Sequence, residues 1–152
     1  MAKPFPLQTL LDHSRHRMDA AERLLRILRR KEDEARARLD EFHGYKRDYQ
    51  QRLAGAGGRG MEIHLLRDFH VFLHKLDAAI AQQEGEVARA HGHWQDAHAQ
   101  WLALRQKVKA YETLARRHET LELARLEKRE QRLSDENALR RHLVRSGKLG
   151  QG

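Results

Sequence analysis

The chain has 152 residues, of which 34% are charged, with a mean hydropathy of −0.88 and only four Phe, three Tyr and two Trp; it lacks the apolar mass for the thick core of an ordinary globular domain. Its formal net charge of +8 calls for an acidic partner surface, and the absence of cysteine excludes disulfides and thiolate metal sites and fits a cytoplasmic protein. No apolar run approaches the roughly 18 residues of a membrane span, and the opening MAKPFPLQTLLDHSRH lacks the apolar stretch of a signal peptide.

The first element is a helix over about residues 6–54, with Pro6 suited to its first turn. Alternating steps of four and three from Leu7 run through Leu11, Ser14, Met18, Ala21, Leu25, Leu28, Glu32, Ala35, Leu39, Phe42, Lys46, Tyr49 and Leu53, and eleven of these fourteen are apolar or aromatic. That spacing is the a/d seam of a coiled coil.

The helix runs into Gly55-Ala56-Gly57-Gly58-Arg59-Gly60, which spells the G-x-G-x-x-G pattern of dinucleotide-binding loops. A phosphate cradle needs a hydrophobic strand ahead of the first glycine, whereas YKRDYQQRLA is polar, charge-rich and helical in spacing. Glycines 55–60 therefore read as a turn, where positive φ is needed to reverse the chain, and no cofactor is expected.

A second helix over about residues 61–143 carries its own seam, Leu66, Phe69, Leu73, Leu76, Ile80, Gln83, Val87, Ala90, Trp94, Ala97, Trp101, Leu104, Val108, Tyr111 and Ala115, in which only Gln83 is polar. Two helices with one seam each and a short glycine connection fold most simply as a long antiparallel two-helix coiled-coil hairpin, an all-α fold forming one domain over residues 1–152. An exchange of helices between two copies is the alternative. A bend centred between Gly57 and Gly58 makes the numbers of facing residues add to 115, which pairs Leu39 with Leu76, Ala21 with Trp94, Leu7 with Val108 and, at the polar layer, Glu32 with Gln83. Glu32 and Gln83 then read as a register pin, an amide hydrogen-bonded to a carboxylate, or else as an unpaired wet layer.

The second helix overhangs its partner by about 35 residues in this register, and its seam degrades past Ala115 while Leu114, Leu121, Leu126 and Leu133 drift to another face. The tail, residues 146–152, is expected to be flexible. Residues 1–31 hold eight Lys or Arg against three acids and residues 109–152 hold eleven against seven, while the stretch between is close to balance. The positive excess thus collects at the open end.

Near the glycines, RDFHVFLHKLDAAI places Phe72 and Ala79 beside the seam and Val71 outward, and with Ile63 and Leu65 they make an apolar strip. The strip is either a widened seam or a docking site for a protein. His70 and His74 have the i, i+4 spacing of metal ligands, but no carboxylate stands one turn away as a third, and His13, His16, His91, His93 and His98 read as solvated flank residues. No metal site is expected, and no nucleophile with an adjoining base supports catalysis.

The leucine-heptad first helix, Tyr45 and Tyr49 before a glycine turn, FHVFLHKLDAAIAQQ from Phe69 to Gln83, then Trp94, Trp101 and LRQKVKAYETLARRH together resemble the FliJ family of flagellar type III export proteins over nearly the whole chain. The resemblance implies a non-enzymatic coiled coil similar to the gamma (stalk) subunit of rotary ATPases. It implies a cytoplasmic protein at the flagellar base, with its open end in the hexamer of the export ATPase, promoting ring assembly and hydrolysis and coupling them to the FlhA export gate. Export chaperones are further candidate partners. Family gate-binding positions fall on Phe72, Leu76 and Ala79, with Gln83 where some members carry histidine. The arginines placed for the ATPase ring are Arg15, Arg23, Arg26, Arg30, Arg116 and Arg117.

Two other readings compete. The stalk of a virulence type III system would show the same pattern. A basic coiled coil bound to nucleic acid would use Arg29-Arg30, Arg116-Arg117 and Arg140-Arg141, but acids interleave with these, as in Glu32 to Arg36 and Glu112 to Arg116, and the aromatics are committed to the seam.

Overall fold

The computed structural model describes residues 2–57, 60 and 62–147. It is an all-α antiparallel hairpin of two long helices, α1 (Gln8–Gly57) and α2 (Ile63–Arg145), with no strand among the described residues. Pro6 lies in the turn ahead of α1, which opens with Gln8 N–H donating to the Phe5 carbonyl at 3.2 Å. At the far end, His142 and Arg145 occupy the last turn of α2, where positive charge suits the helix dipole. Gly147, at φ 75°, closes that end in the left-handed conformation that glycine adopts without a steric penalty.

The glycine segment departs from expectation. Rather than ending near residue 54, α1 runs through Gly55 and Gly57, and among the described residues of this segment Gly60 has a positive φ of 78°. Glycine permits a turn but does not compel one, and each added helical residue gains a backbone hydrogen bond. Residues 58 and 59 of the expected turn, residue 61 at the expected start of the second helix, and 148–152 of the expected tail lie outside the described residues.

The chain divides into two compact units, one of residues 18–103 and one of residues 1–17 with 104–152. Within the first, cross-helix contacts reveal the register. Trp101 Nε1–H donates to Glu22, Arg29 lies over the Trp94 ring, His91 meets Glu32, and Lys46 pairs with Asp77, and the numbers of all four pairs add to 123. The nearest value that sets a/d positions against a/d positions is 122, one heptad above the expected 115. The physical reason is the length of α1: carrying it through Gly57 moves the bend outward by about one turn, roughly 3.6 residues, and each step of the bend shifts facing numbers by two.

The seam itself is as read. Every heptad position from Leu7 to Leu53 and from Leu66 to Ala115 is buried or half-buried. In unit 18–103, Leu76, Ile80 and Ala97 are buried together with two polar residues, Glu32 and Gln83.

In the other unit, Leu11 and Val108 are each 2% exposed and Ser14 is buried. A register near 122 sets Ser14, the small residue, level with Val108. The N-terminal segment lies against α2: Lys3 N–H donates to Glu122 (3.1 Å), His118 Nε2 reaches the Lys3 carbonyl (2.8 Å), and the Phe5 and His118 rings are 5.7 Å apart. The overhang therefore starts beyond Glu122 and not at Val108, and residues 127–142 are all exposed.

Candidate functional site

Three surfaces come from these elements. The first is the apolar strip of unit 18–103. Phe72 is 39% exposed and stacks on Tyr49 with ring centroids 4.3 Å apart, while Phe69 meets the same tyrosine edge-on at 5.8 Å. Arg52 approaches the Tyr49 ring at 5.7 Å. Ile63, Leu65 and Val71 are exposed, as is Tyr45. Of the four positions assigned to gate binding, Phe72 is open to solvent and Ala79 is half-buried. Leu76 and Gln83 are buried, and the Gln83 amide is occupied, Nε2 donating to the Ala35 carbonyl at 2.9 Å. The strip thus presents an aromatic ledge built from both helices.

The second surface is basic. Residues 1–17 and 104–152 carry 16 Lys or Arg against 8 Asp or Glu, whereas residues 18–103 carry 14 of each, so the whole net charge of +8 belongs to the first set. There, Thr113, Arg116, Arg117, Thr120 and Leu121 line an open groove of about 420 Å³, with Leu121 70% exposed. One turn on, Arg125, Lys128, Arg129 and Arg132 line another of about 370 Å³. Arg116 Nη2 donates to Thr113 (3.2 Å), and Arg15 faces Glu112 at 3.7 Å, so Glu112 does not make the expected intrahelical pair with Arg116. Arg23, Arg26 and Arg30 are exposed and belong to unit 18–103, apart from Arg15, Arg116 and Arg117.

The third feature is a buried carboxylate. Glu32 is 0% exposed and accepts hydrogen bonds from Arg29 Nη1 (3.0 Å), Arg36 Nη2 (3.2 Å) and His91 Nδ1 (2.5 Å). An ionised carboxylate only accepts, so His91 Nδ1 carries the hydrogen of this contact. Burial pushes the Glu32 pKa up, but the hydrogen bonds from His91 and Arg36, with the charges of both groups, outweigh it and hold the carboxyl below its ordinary range. Arg29 also lies 4.1 Å above the Trp94 ring, and rings continue the ladder from His91 through Trp94 and His98 to Trp101.

The expected Glu32–Gln83 hydrogen bond is replaced, because a one-heptad difference in register puts Gln83 level with Leu39, within reach of the Ala35 carbonyl one turn away, and Glu32 beside His91. His91 and His98, expected as solvated flank residues, are half-buried members of this cluster. No residue-spacing rule on one helix could have found a partner 59 positions away; the signal available was a lone acid in an apolar seam. A further carboxylate, Glu122, sits below the ordinary range through the Lys3 backbone N–H, helped by Arg125. Among the described residues no group of three or more His, Asp or Glu could hold a metal, and no helix is long and apolar enough to cross a membrane.

The family model of the flagellar FliJ protein matches residues 2–147, nearly the whole chain. The chain belongs to the flagellar FliJ family. Neither the curated proteins nor the solved structures give a significant match. Membership makes this chain a component of flagellar export, and the FliJ-type hairpin is the scaffold on which all three surfaces are carried.

Proposed function

We propose that this FliJ family member is the non-enzymatic stalk of the export machine, working at the cytoplasmic side of the membrane. Its terminal unit enters the ring of the export ATPase, promoting assembly and ATP hydrolysis, while the aromatic ledge around Phe72 engages the cytoplasmic part of the FlhA gate. One observation carries the reading: the entire net charge of +8 falls on residues 1–17 and 104–152, while residues 18–103 are neutral. A cationic helix end lowers its electrostatic energy in an acidic cavity, and a neutral stretch with an exposed aromatic ledge suits a protein contact that does not depend on charge.

Arg116 and Arg117, which line the groove with Thr113, Thr120 and Leu121, are the arginines that make ring contact in this reading. Arg15, close to Glu112, contributes less, and Arg23, Arg26 and Arg30 lie on the neutral unit. At the gate, Phe72 and Ala79 make the contact, whereas Leu76 and Gln83 support it from beneath. Export chaperones bind the same scaffold in this reading.

The test is ATP hydrolysis by the purified export ATPase with and without the full chain. Stimulation is expected, and Arg116→Glu with Arg117→Glu should abolish most of it while far-ultraviolet circular dichroism stays helical. A full chain that leaves hydrolysis and ring formation unchanged would overturn the stalk reading. Binding of the gate's cytoplasmic domain to Phe72→Ala, expected to weaken about tenfold, the size of effect of losing one interfacial aromatic anchor, tests the ledge independently.

A further inference from the structure

Unit 18–103 holds a seam that satisfies the heptad rule in more than one way. In the observed register Leu28 is level with Trp94, Leu25 with Ala97 and Phe42 with Ile80; with α2 displaced by seven residues, Leu28 is level with Val87, Leu25 with Ala90 and Phe42 with Leu73. Both arrangements set apolar a/d positions against apolar a/d positions, so seam hydrophobicity alone does not choose between them. Polar contacts do choose. The meeting of Glu32 with His91 and of Lys46 with Asp77 belongs to the observed register, whereas the displaced one sets Glu32 level with Gln83 instead.

The bend has the composition such a displacement needs. The last turn of α1 contains Gly55 and Gly57, the weakest helix formers after proline, and Gly60 beyond it has a positive φ of 78°. Unwinding that turn moves the bend inward and supplies the slack for α2 to retract by one heptad, about 10 Å at 1.5 Å per residue.

We propose that residues 18–103 form a two-register hairpin, in which the buried Glu32–His91 contact, backed by Arg29 and Arg36, is the clasp that selects the observed register over one displaced by a heptad. Releasing the clasp lets α2 slide along α1, a ratchet between two discrete packings. The slide separates Phe72 from Tyr49 and so dismantles the aromatic ledge: what happens at Glu32 is transmitted to the exposed strip by movement of a whole helix. The proposal stands on the register and the clasp and does not depend on which partner the strip binds.

The natural chain has no cysteine, so paired cysteines report register directly. A disulfide requires Cα atoms within about 7 Å, so two pairs one heptad apart do not report the same state. Leu25→Cys with Ala97→Cys marks the observed register, and Leu25→Cys with Ala90→Cys the displaced one. With Glu32 present, only the 25/97 pair should close within one chain under mild oxidation. In the Glu32→Leu background, and in Glu32→Gln, which keeps the side chain's size, the 25/90 pair should close as well, reaching at least one-fifth of chains while helicity is retained. Closure of 25/90 as readily with Glu32 present as without would overturn the clasp. A 25/90 pair that stays open in the folded Glu32→Gln chain, or that closes only between two chains, would overturn the slide. Should Glu32→Leu unfold, Glu32→Gln decides alone.

Discussion

Residues 18–103 and the unit of residues 1–17 with 104–152 are cut from the same two helices and the same heptad pattern, yet they solve different problems. The first is electrically neutral and spends its polar residues inside: Glu32 and Gln83 are buried, each with a partner on the other helix. The second carries the whole positive excess and spends it outside. Its buried residues are Leu11, Ser14 and Val108, while Arg116, Arg117, Lys128, Arg129 and Arg132 line open grooves. Two helices joined by one seam thus yield a stretch whose specificity is internal and a stretch whose specificity needs a partner. The buried contacts join the two helices to each other, and in the proposed function the exposed charges are what meets a partner.

Substitutions should separate the two most sharply at the clasp. Glu32→Lys places a third cation against Arg29 and Arg36 in a buried layer, and should lower the thermal midpoint by roughly 10 °C or more, read by circular dichroism. Hydrogen exchange should show the loss of protection centred on residues 18–103; a loss confined to the other unit would break the comparison. Leu11→Ala is the converse. Truncating a side chain that is 2% exposed costs about 2–4 kcal/mol, and exchange should rise in residues 7–17 and 104–122 first.

Acid should act on both units, through one carboxylate in each. Glu32 and Glu122 have folded-state pKa values held below the ordinary range, by His91 and Arg36 against the cost of burial in one case, and by the Lys3 N–H and Arg125 in the other. A depressed folded pKa means that the unfolded chain takes up the proton first. The stability each contributes is therefore complete above the ordinary carboxylate pKa of about 4.3 and is lost as pH falls through the lower folded value. Thermal melts from pH 7 to pH 3 should be flat to about pH 5 and then steepen. Glu32→Gln and Glu122→Gln should each flatten the acid limb, and an unchanged limb in both would refute this account. The smallest effect is expected from Lys46→Ala, whose partner Asp77 is half-exposed: about 0.5 kcal/mol and reduced by salt, measured by chemical denaturation.

The seam was fully legible in the sequence, because burial in a two-helix coil follows a 3.5-residue repeat that local spacing records. The heptad positions from Leu7 to Leu53 and from Leu66 to Ala115 are all at least half-buried. The apolar strip was legible too: Phe72 stands exposed beside the seam, and Leu76 and Gln83 are buried as seam positions, although the Ala35 carbonyl as the partner of Gln83 could not be read from spacing. The cluster of His91, Trp94 and His98 was not legible, since its partners Glu32 and Arg29 are supplied by the other helix.

By itself, then, the sequence determined that there are two helices, which faces they bury, that they return on one another near the glycines, and where the positive charge collects. These properties depend on residues a few positions apart. Only the tertiary structure decided the register. A heptad seam is periodic, so a displacement of seven residues restores every apolar match, and the choice falls to what is not periodic: how far α1 continues through Gly57, and which single histidine meets the buried carboxylate of Glu32.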